Sequence, residues 1–177
     1  KRFNNEEEVI TLLERDLSVA AAAPVKAILV PVSELYQTQL LQGVCLDELD
    51  IEVTDFRLNP LLLKNNTDAA MLTETVYSHL LRSNCPVTNQ PDWGSVSITY
   101  TGQAIHHESL LRYLISFREH NDFHEQCVER IFSDISCQCQ PEKLTVQAYY
   151  TRRGGLDINP FRSNVDLAAQ FQRLVRQ

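Results

Sequence analysis

The apolar positions of the chain fall into a few short periodic runs separated by polar breaks. Val9, Leu12, Leu13 and Leu17 follow Glu6-Glu7-Glu8 at the spacing of one helical face, which predicts an amphipathic helix. Asn5 reads as its N-cap with Glu8 three residues on, and the acidic first turn suits the positive end of the helix dipole. After a break at Ala20 to Pro24, Ala27-Ile28-Leu29-Val30 predicts a strand and Ile51-Glu52-Val53 begins a second. Asn59 to Asp68 has turn residues at both ends and no sustained period, so the chain divides into residues 1–58, a linker at 59–73, and residues 74–177.

Beyond that break, Tyr77 to Leu81 reads as a strand, and Val96, Ile98 and Tyr100 alternate with Ser97 and Thr99 as in a half-buried strand. Two helices follow, one carrying Leu110, Leu111, Leu114, Ile115 and Phe117, the other Phe123, Cys127, Val128, Ile131, Phe132 and Ile135. Leu144, Val146, Ala148 and Tyr150 alternate again, and a Gly154-Gly155 turn leads to Leu156-Asp157-Ile158. The order is strand, strand, helix, helix, strand, strand, an α+β class. A weak internal repeat accompanies it: Asp16-Leu17-Ser18 before Pro24 echoes Asp134-Ile135-Ser136 before Pro141, and Asp50-Ile51-Glu52 echoes Asp157-Ile158-Asn159. On this reading the first part is the end of a unit of the same kind as the second.

Composition narrows the function classes. With 177 residues, 44% hydrophobic and 22% charged, the chain is a globule with ample core, and the net charge of −7 speaks against a nucleic-acid footprint built on basic residues. The longest apolar stretches, Val19 to Pro24 and Ala27 to Val32, fall short of the roughly 20 residues of a membrane helix. A start at Lys1 with no signal-peptide pattern reads as a fragment of a longer chain. Cys45, Cys85, Cys127, Cys137 and Cys139 are odd in number and lack a Cys-x-x-Cys pair, which points to a reducing, cytoplasmic compartment and away from a zinc knuckle.

Three polar constellations are candidates for chemistry. Ser83-Asn84-Cys85-Pro86-Val87-Thr88-Asn89-Gln90-Pro91-Asp92-Trp93-Gly94 forms a loop between two strands, the kind of place where function concentrates. Cys85 is a nucleophile if a neighbour stabilises its thiolate, and Asp92 is an acid within reach; a small buried thiol and a turn-forming Asp92 explain the same residues without chemistry, and composition alone favours that plainer reading. Asn121-Asp122-Phe123-His124-Glu125 opens a helix, with Asp122 as N-cap and Glu125 closing a capping box, or with His124 and Glu125 facing a pocket where a carboxylate accepts N–H bonds from a heterocycle. Thr151-Arg152-Arg153-Gly154-Gly155 is a tight turn with solvated arginines or an anion-binding loop. His106 and His107 read as solvated, and no G-x-G-x-x-G follows a strand.

Four blocks in order resemble the NADPH-dependent 7-cyano-7-deazaguanine reductases, the nitrile reductases of queuosine biosynthesis. They are Ser83 to Pro86 with Gln90 to Gly94, Leu114-Ile115-Ser116-Phe117-Arg118, Phe123-His124-Glu125-Gln126-Cys127, and Thr151 to Pro160. The resemblance implies the tunnelling fold, an antiparallel sheet with two helices packed on one face, here as tandem units of the family's longer branch. It implies reduction of 7-cyano-7-deazaguanine to its 7-aminomethyl product, with NADPH as cofactor and a homodimer as the working form. Cys85 would attack the nitrile carbon to give a thioimide and Asp92 would protonate the nitrile nitrogen, held protonated by burial or a neighbouring anion. The resemblance places His124 near the reacting carbon and Glu125 on the N–H edge of the base, with Arg152 and Arg153 beside Gly154 and Gly155 at the NADPH phosphates. It also suggests a protective Cys85–Cys127 disulfide under oxidation. The stretch Glu108-Ser109-Leu110-Leu111-Arg112-Tyr113 stands where the family's cofactor motif carries lysines, and lacks them. Two alternatives stay open: a zinc cyclohydrolase-like enzyme, although Cys85 is followed by Pro86, Val87 and Thr88 rather than a histidine, and a non-catalytic purine- or pterin-binding module.

Overall fold

A computed structural model describes residues 2–31, 38–68, 70–165, 169 and 172–177. Contacts divide the chain into two compact units, Lys1–Gln37 and Thr38–Gln177. The first contains α1 (Glu6–Ala21), capped as the sequence predicts: Asn5 Oδ1 accepts from Glu8 N–H at 2.9 Å. Glu8 reaches back one residue further than a capping box requires, to Asn4 N–H at 2.9 Å. Ala22 closes the helix in the left-handed conformation. The strand expected at 27–30 is not formed: the segment is irregular, Ile28 is exposed, and no strand among the described residues pairs with it. High β propensity without a partner does not make a strand.

The second unit is built on a five-stranded sheet in the order β1 (Val44–Cys45), β2 (Met71–Asn84), β3 (Pro91–Gln103), β4 (Lys143–Tyr150) and β5 (Phe161–Ser163). The short β1–β2 pair is parallel and the others are antiparallel. Between β3 and β4 the chain forms α2 (His107–Ile115), a 3-10 turn at Ser116–Glu119, and α3 (His124–Cys139). Val76, Leu81, Val96, Ile98, Tyr100, Leu144, Val146 and Ala148 form the sheet side of the core. Leu110, Leu111 and Leu114 of α2 and Val128, Ile131 and Ile135 of α3 complete it. The α+β class and the strand and helix order follow the hydrophobic pattern.

Three expectations need correction. Residues 51–53 are not a strand: Ile51, Val53 and Phe56 are partly buried against the core, so their apolar character serves packing rather than a ladder. Residues 59–73 do not separate the compact units. Pro60–Leu62 is a 3-10 turn whose first residues are held by Asn59 Oδ1 accepting from Leu61 N–H at 3.0 Å, Leu63 is buried, and β2 already starts at Met71. Leu156 to Ile158 is not a strand either; the turn returns through an Arg153–Leu156 bridge and pairing resumes at Phe161.

β2 contains a bulge. Ser78 stands opposite Val96, but Leu81 stands opposite Gly94, so two residues of β2 face one of β3. Asp47 fixes it, accepting from Ser78 Oγ at 2.6 Å and from His79 N–H at 2.9 Å. Past the bulge β2 pairs with β3 to its end, where Ser83 is opposite Asp92. There Asn84 N–H donates to the His120 carbonyl at 2.9 Å and Asp122 N–H donates to the Asn84 carbonyl at 3.1 Å. These bonds lay the segment before α3 alongside the end of β2 and bring the turn at Cys85 to the start of α3.

Candidate active site

Cys85 lies on the turn joining β2 to β3. Its N–H donates to the Gln90 carbonyl and its carbonyl accepts from Asn89 N–H, both at 2.9 Å, closing the turn into a compact loop. Asn89 takes a left-handed φ of 56°, and its Oδ1 accepts from Asn121 Nδ2 at 2.8 Å, which ties the loop to the segment before α3. Hydrogen bonds from the Thr88 hydroxyl, the Thr88 and Val87 amides and the Arg153 guanidinium converge on the sulfur. They lower the thiol pKa to about 7, against a partial desolvation that opposes them. The neighbour needed to make Cys85 a nucleophile is therefore present, and is chiefly the loop itself.

Asp92 is buried near the start of β3, with only 3% of its surface exposed. Its Oδ2 is 3.1 Å from His124 Nε2, and its Oδ1 meets the Arg153 guanidinium. These side-chain partners are an imidazole and a guanidinium cation, so of the two expected surroundings of Asp92, burial or a neighbouring anion, burial is the one found in these contacts. His124 is the first residue of α3 and is itself buried. Its ring stacks on Tyr150 with centroids 3.9 Å apart and planes within 6°, and its Nδ1 has no hydrogen-bond partner. Gly94 makes room for this stack: it pairs with Tyr150 across β3 and β4, and a Cβ there would lie 3.2 Å from the Tyr150 ring.

The structure places Cys85, Asp92 and His124 around the junction of β2, β3 and α3. Other candidates are placed differently. Glu125 is exposed on the first turn of α3, and the cap is displaced by one residue: Phe123 occupies the N-cap, with its N–H shared between Asp122 Oδ1 at 3.1 Å and Gln126 Oε1 at 3.4 Å. Arg152 is exposed, whereas Arg153 turns inward to Asp92 and to the Gln90 carbonyl at 3.4 Å. Gly154 and Gly155 have φ of 57° and 85°, the pair of positive values of a tight hairpin turn, and open space lies where their side chains would be. His106 and His107 are not simply solvated. His106 Nδ1 accepts from Ser109 N–H at 3.2 Å as the N-cap of α2, and His107 Nε2 is 3.1 Å from Glu74.

Cys85 and Cys127 are both free thiols. Cys127 is fully buried, which pushes its pKa up, and Ser83 and Tyr150 are its polar neighbours. The sequence reading did not select Tyr150, Ser83 or Thr88. Gly94 opposite an aromatic residue was the available signal for Tyr150, and it becomes legible only once the β3–β4 register is known. Among the described residues no group of three His, Cys, Asp or Glu is arranged to hold a metal ion. The cation beside the Cys85 sulfur is a guanidinium, an unfavourable neighbour for zinc.

The family model described as QueF-like protein matches residues 91–169. The curated NADPH-dependent 7-cyano-7-deazaguanine reductase of Hydrogenovibrio crunogenus is 56% identical over 177 residues, covering 99% of this chain. The chain spans 64% of that relative's length. The crystal structure of the archaeosine synthase QueF-Like in the apo form aligns with a TM-score of 0.47 at 15% identity, over 55% of this chain and 95% of its own. Over nearly its whole length this chain is thus similar to a 7-cyano-7-deazaguanine reductase, with more than half of the aligned positions identical.

Proposed function

We propose that this chain carries the nucleophilic centre of an NADPH-dependent oxidoreductase that reduces the nitrile of 7-cyano-7-deazaguanine to 7-aminomethyl-7-deazaguanine, a step of queuosine biosynthesis and so of tRNA modification. The observation that carries this reading is a solvent-reachable thiol with a pKa lowered to about 7, on the loop at the end of the strand pair whose Asp92 is buried against His124. The thiolate of Cys85 forms a C–S bond to the nitrile carbon, and one π pair of the nitrile moves onto nitrogen, which takes a proton from the Asp92–His124 pair. The product is a thioimide. NADPH, when bound, supplies a hydride to that carbon and a second hydride to the imine left after the C–S bond breaks. Cys85 serves both directions, because a thiol stabilised as its anion is also a good leaving group. Glu125, at the rim of the site on α3, is assigned to the N–H edge of the base.

Arg152 with the Gly154-Gly155 turn is assigned to the NADPH phosphates, since Arg152 is exposed and the turn is unobstructed. The stretch Glu108 to Tyr113 does not fit such a role: Ser109, Leu110, Leu111 and Tyr113 are buried, and Arg112 NH1 pairs with Glu108 at 3.2 Å. The tunnelling fold, the tandem-unit arrangement and a homodimer belong to the same proposal. The sheet ends in two very short edge strands, β1 and β5, which leaves backbone for pairing with another sheet. The free cysteines suit a cytoplasmic location, and among the described residues no helix is long and apolar enough to cross a membrane.

The test is intact-protein mass of the full-length enzyme incubated with 7-cyano-7-deazaguanine and no NADPH. A gain of one substrate mass that Cys85→Ala abolishes is the expected result. Binding without an adduct would instead favour a non-catalytic purine-binding module.

A further inference from the structure

Arg153 is held in place more firmly than a surface turn residue needs to be. The hairpin turn at Gly154-Gly155 directs its side chain back over the start of β3. Its guanidinium binds the carboxylate of the buried Asp92 and donates to the Gln90 carbonyl, the same carbonyl that accepts the Cys85 N–H. It also helps to lower the pKa of the Cys85 thiol, after the Thr88 hydroxyl and the Thr88 and Val87 amides. One planar cation with several fixed donors thus touches both groups that change charge when a thiol adds to a nitrile.

We propose that Arg153 is a further catalytic residue, the counter-ion that holds the Cys85 thiolate before attack and the Asp92 carboxylate after it. The charge balance makes this concrete and rests on the function proposed above. Before attack the negative charge is on sulfur. When the C–S bond forms, that charge passes through the nitrile to nitrogen, and proton transfer from the Asp92–His124 pair leaves it on the carboxylate. The cation remains in contact with the anion throughout and needs no rearrangement, as electrostatic stabilisation requires. The other charged or titratable groups described around this end of the molecule include Asp92 on β3, His124, Glu125 and Cys127 on α3, Tyr150 on β4, Arg152 beside the hairpin turn, and the His120–Asp122 pair 3.2 Å apart on the segment before α3. Arg153 is the cation among the groups that stabilise the Cys85 thiolate.

The experiment reads Cys85 directly and needs no substrate. Iodoacetamide alkylation of Cys85 is followed by peptide mass spectrometry across pH 5 to 10 on the full-length protein. Wild type should show an inflection at about 7. Arg153→Gln should move it upward by roughly half a unit to one unit, cutting the rate at neutral pH by about two- to fivefold. Arg153→Lys, which keeps the charge but not the fork, should fall between them. Arg162→Gln, which removes a surface cation paired with Glu129, should match wild type. An unchanged inflection in a folded Arg153→Gln protein overturns the proposal. Where Arg153→Gln does not fold, an unchanged inflection in Arg153→Lys overturns it. Adduct formation with 7-cyano-7-deazaguanine at pH 7 should slow at least as much as alkylation. Absence of that adduct in wild type would refute the proposed reaction and leave the alkylation result standing.

Discussion

The ring of His124 owes its orientation to two contacts, a hydrogen bond to Asp92 and a flat stack on Tyr150. Tyr150 is fully buried, and burial holds its phenol in the neutral form well above the usual pH range. Its hydroxyl faces the Cys127 thiol and the Ser83 hydroxyl. Tyr150→Phe should cost about 1 kcal/mol or less, because it removes only the polar contacts of one buried hydroxyl with a thiol and a serine. Tyr150→Leu should cost about 2–4 kcal/mol by scanning calorimetry, because it leaves a gap under the imidazole and against Gly94. Both kinds of site residue were in the sequence, but only one kind could be read there. Cys85, Asp92 and His124 sit in short polar blocks that carry the family resemblance, although composition alone favours a plain structural reading of Cys85 and Asp92. Arg153 reads as a phosphate ligand because its ion-pair partner lies 61 positions earlier in the chain. Tyr150 reads as one more apolar position of an alternating strand.

The end of β2 and the segment before α3 form one joint. Asn84 completes it with its side chain, donating to the Arg118 carbonyl at 3.1 Å and accepting from Arg82 at 3.1 Å. Asn84→Ala should destabilise the protein by about 1–3 kcal/mol in urea titration, since it leaves buried groups unpaired beside the Cys85 loop. Periodicity located β3, β4, α2 and α3 because each buries one face. It located only the middle of β2, which runs from Met71, since Thr73 and Thr75 pair on the open face with Thr101 and Thr99 at 2.9 Å. It failed at 27–30 and 51–53, where β-branched residues are present but no neighbouring strand is available.

At the scale of the molecule, buried thiols and phenols make stability fall at high pH. Cys139 is raised from 9.0 to about 11 by burial, and Cys127, Tyr113 and Tyr149 are raised for the same reason. A folded-state pKa above the unfolded value means that the stabilisation is complete below the unfolded pKa and is lost as pH rises through the folded one. Thermal unfolding followed by circular dichroism should therefore show a gain between about pH 7 and 9, where the lowered Cys85 thiol favours the folded state, and a decline between 9 and 11. Cys139 alone contributes about 2–3 kcal/mol of that decline. A melting temperature independent of pH over this window would contradict the burial of these groups.

The bulge at His79 and Leu80 gives β2 one residue of slack, and the slack works in one direction. A chain shorter by one of these two residues can pull the strand straight: Leu81 still meets Gly94, Ser83 still meets Asp92, and the thiol arrives where it does now. A chain longer by one has nowhere to store the excess, and the surplus is pushed forward into the Cys85 loop, carrying the sulfur past the carboxylate and the guanidinium that serve it. The active end of this molecule is thus gauged by the length of a strand whose middle touches none of its chemistry.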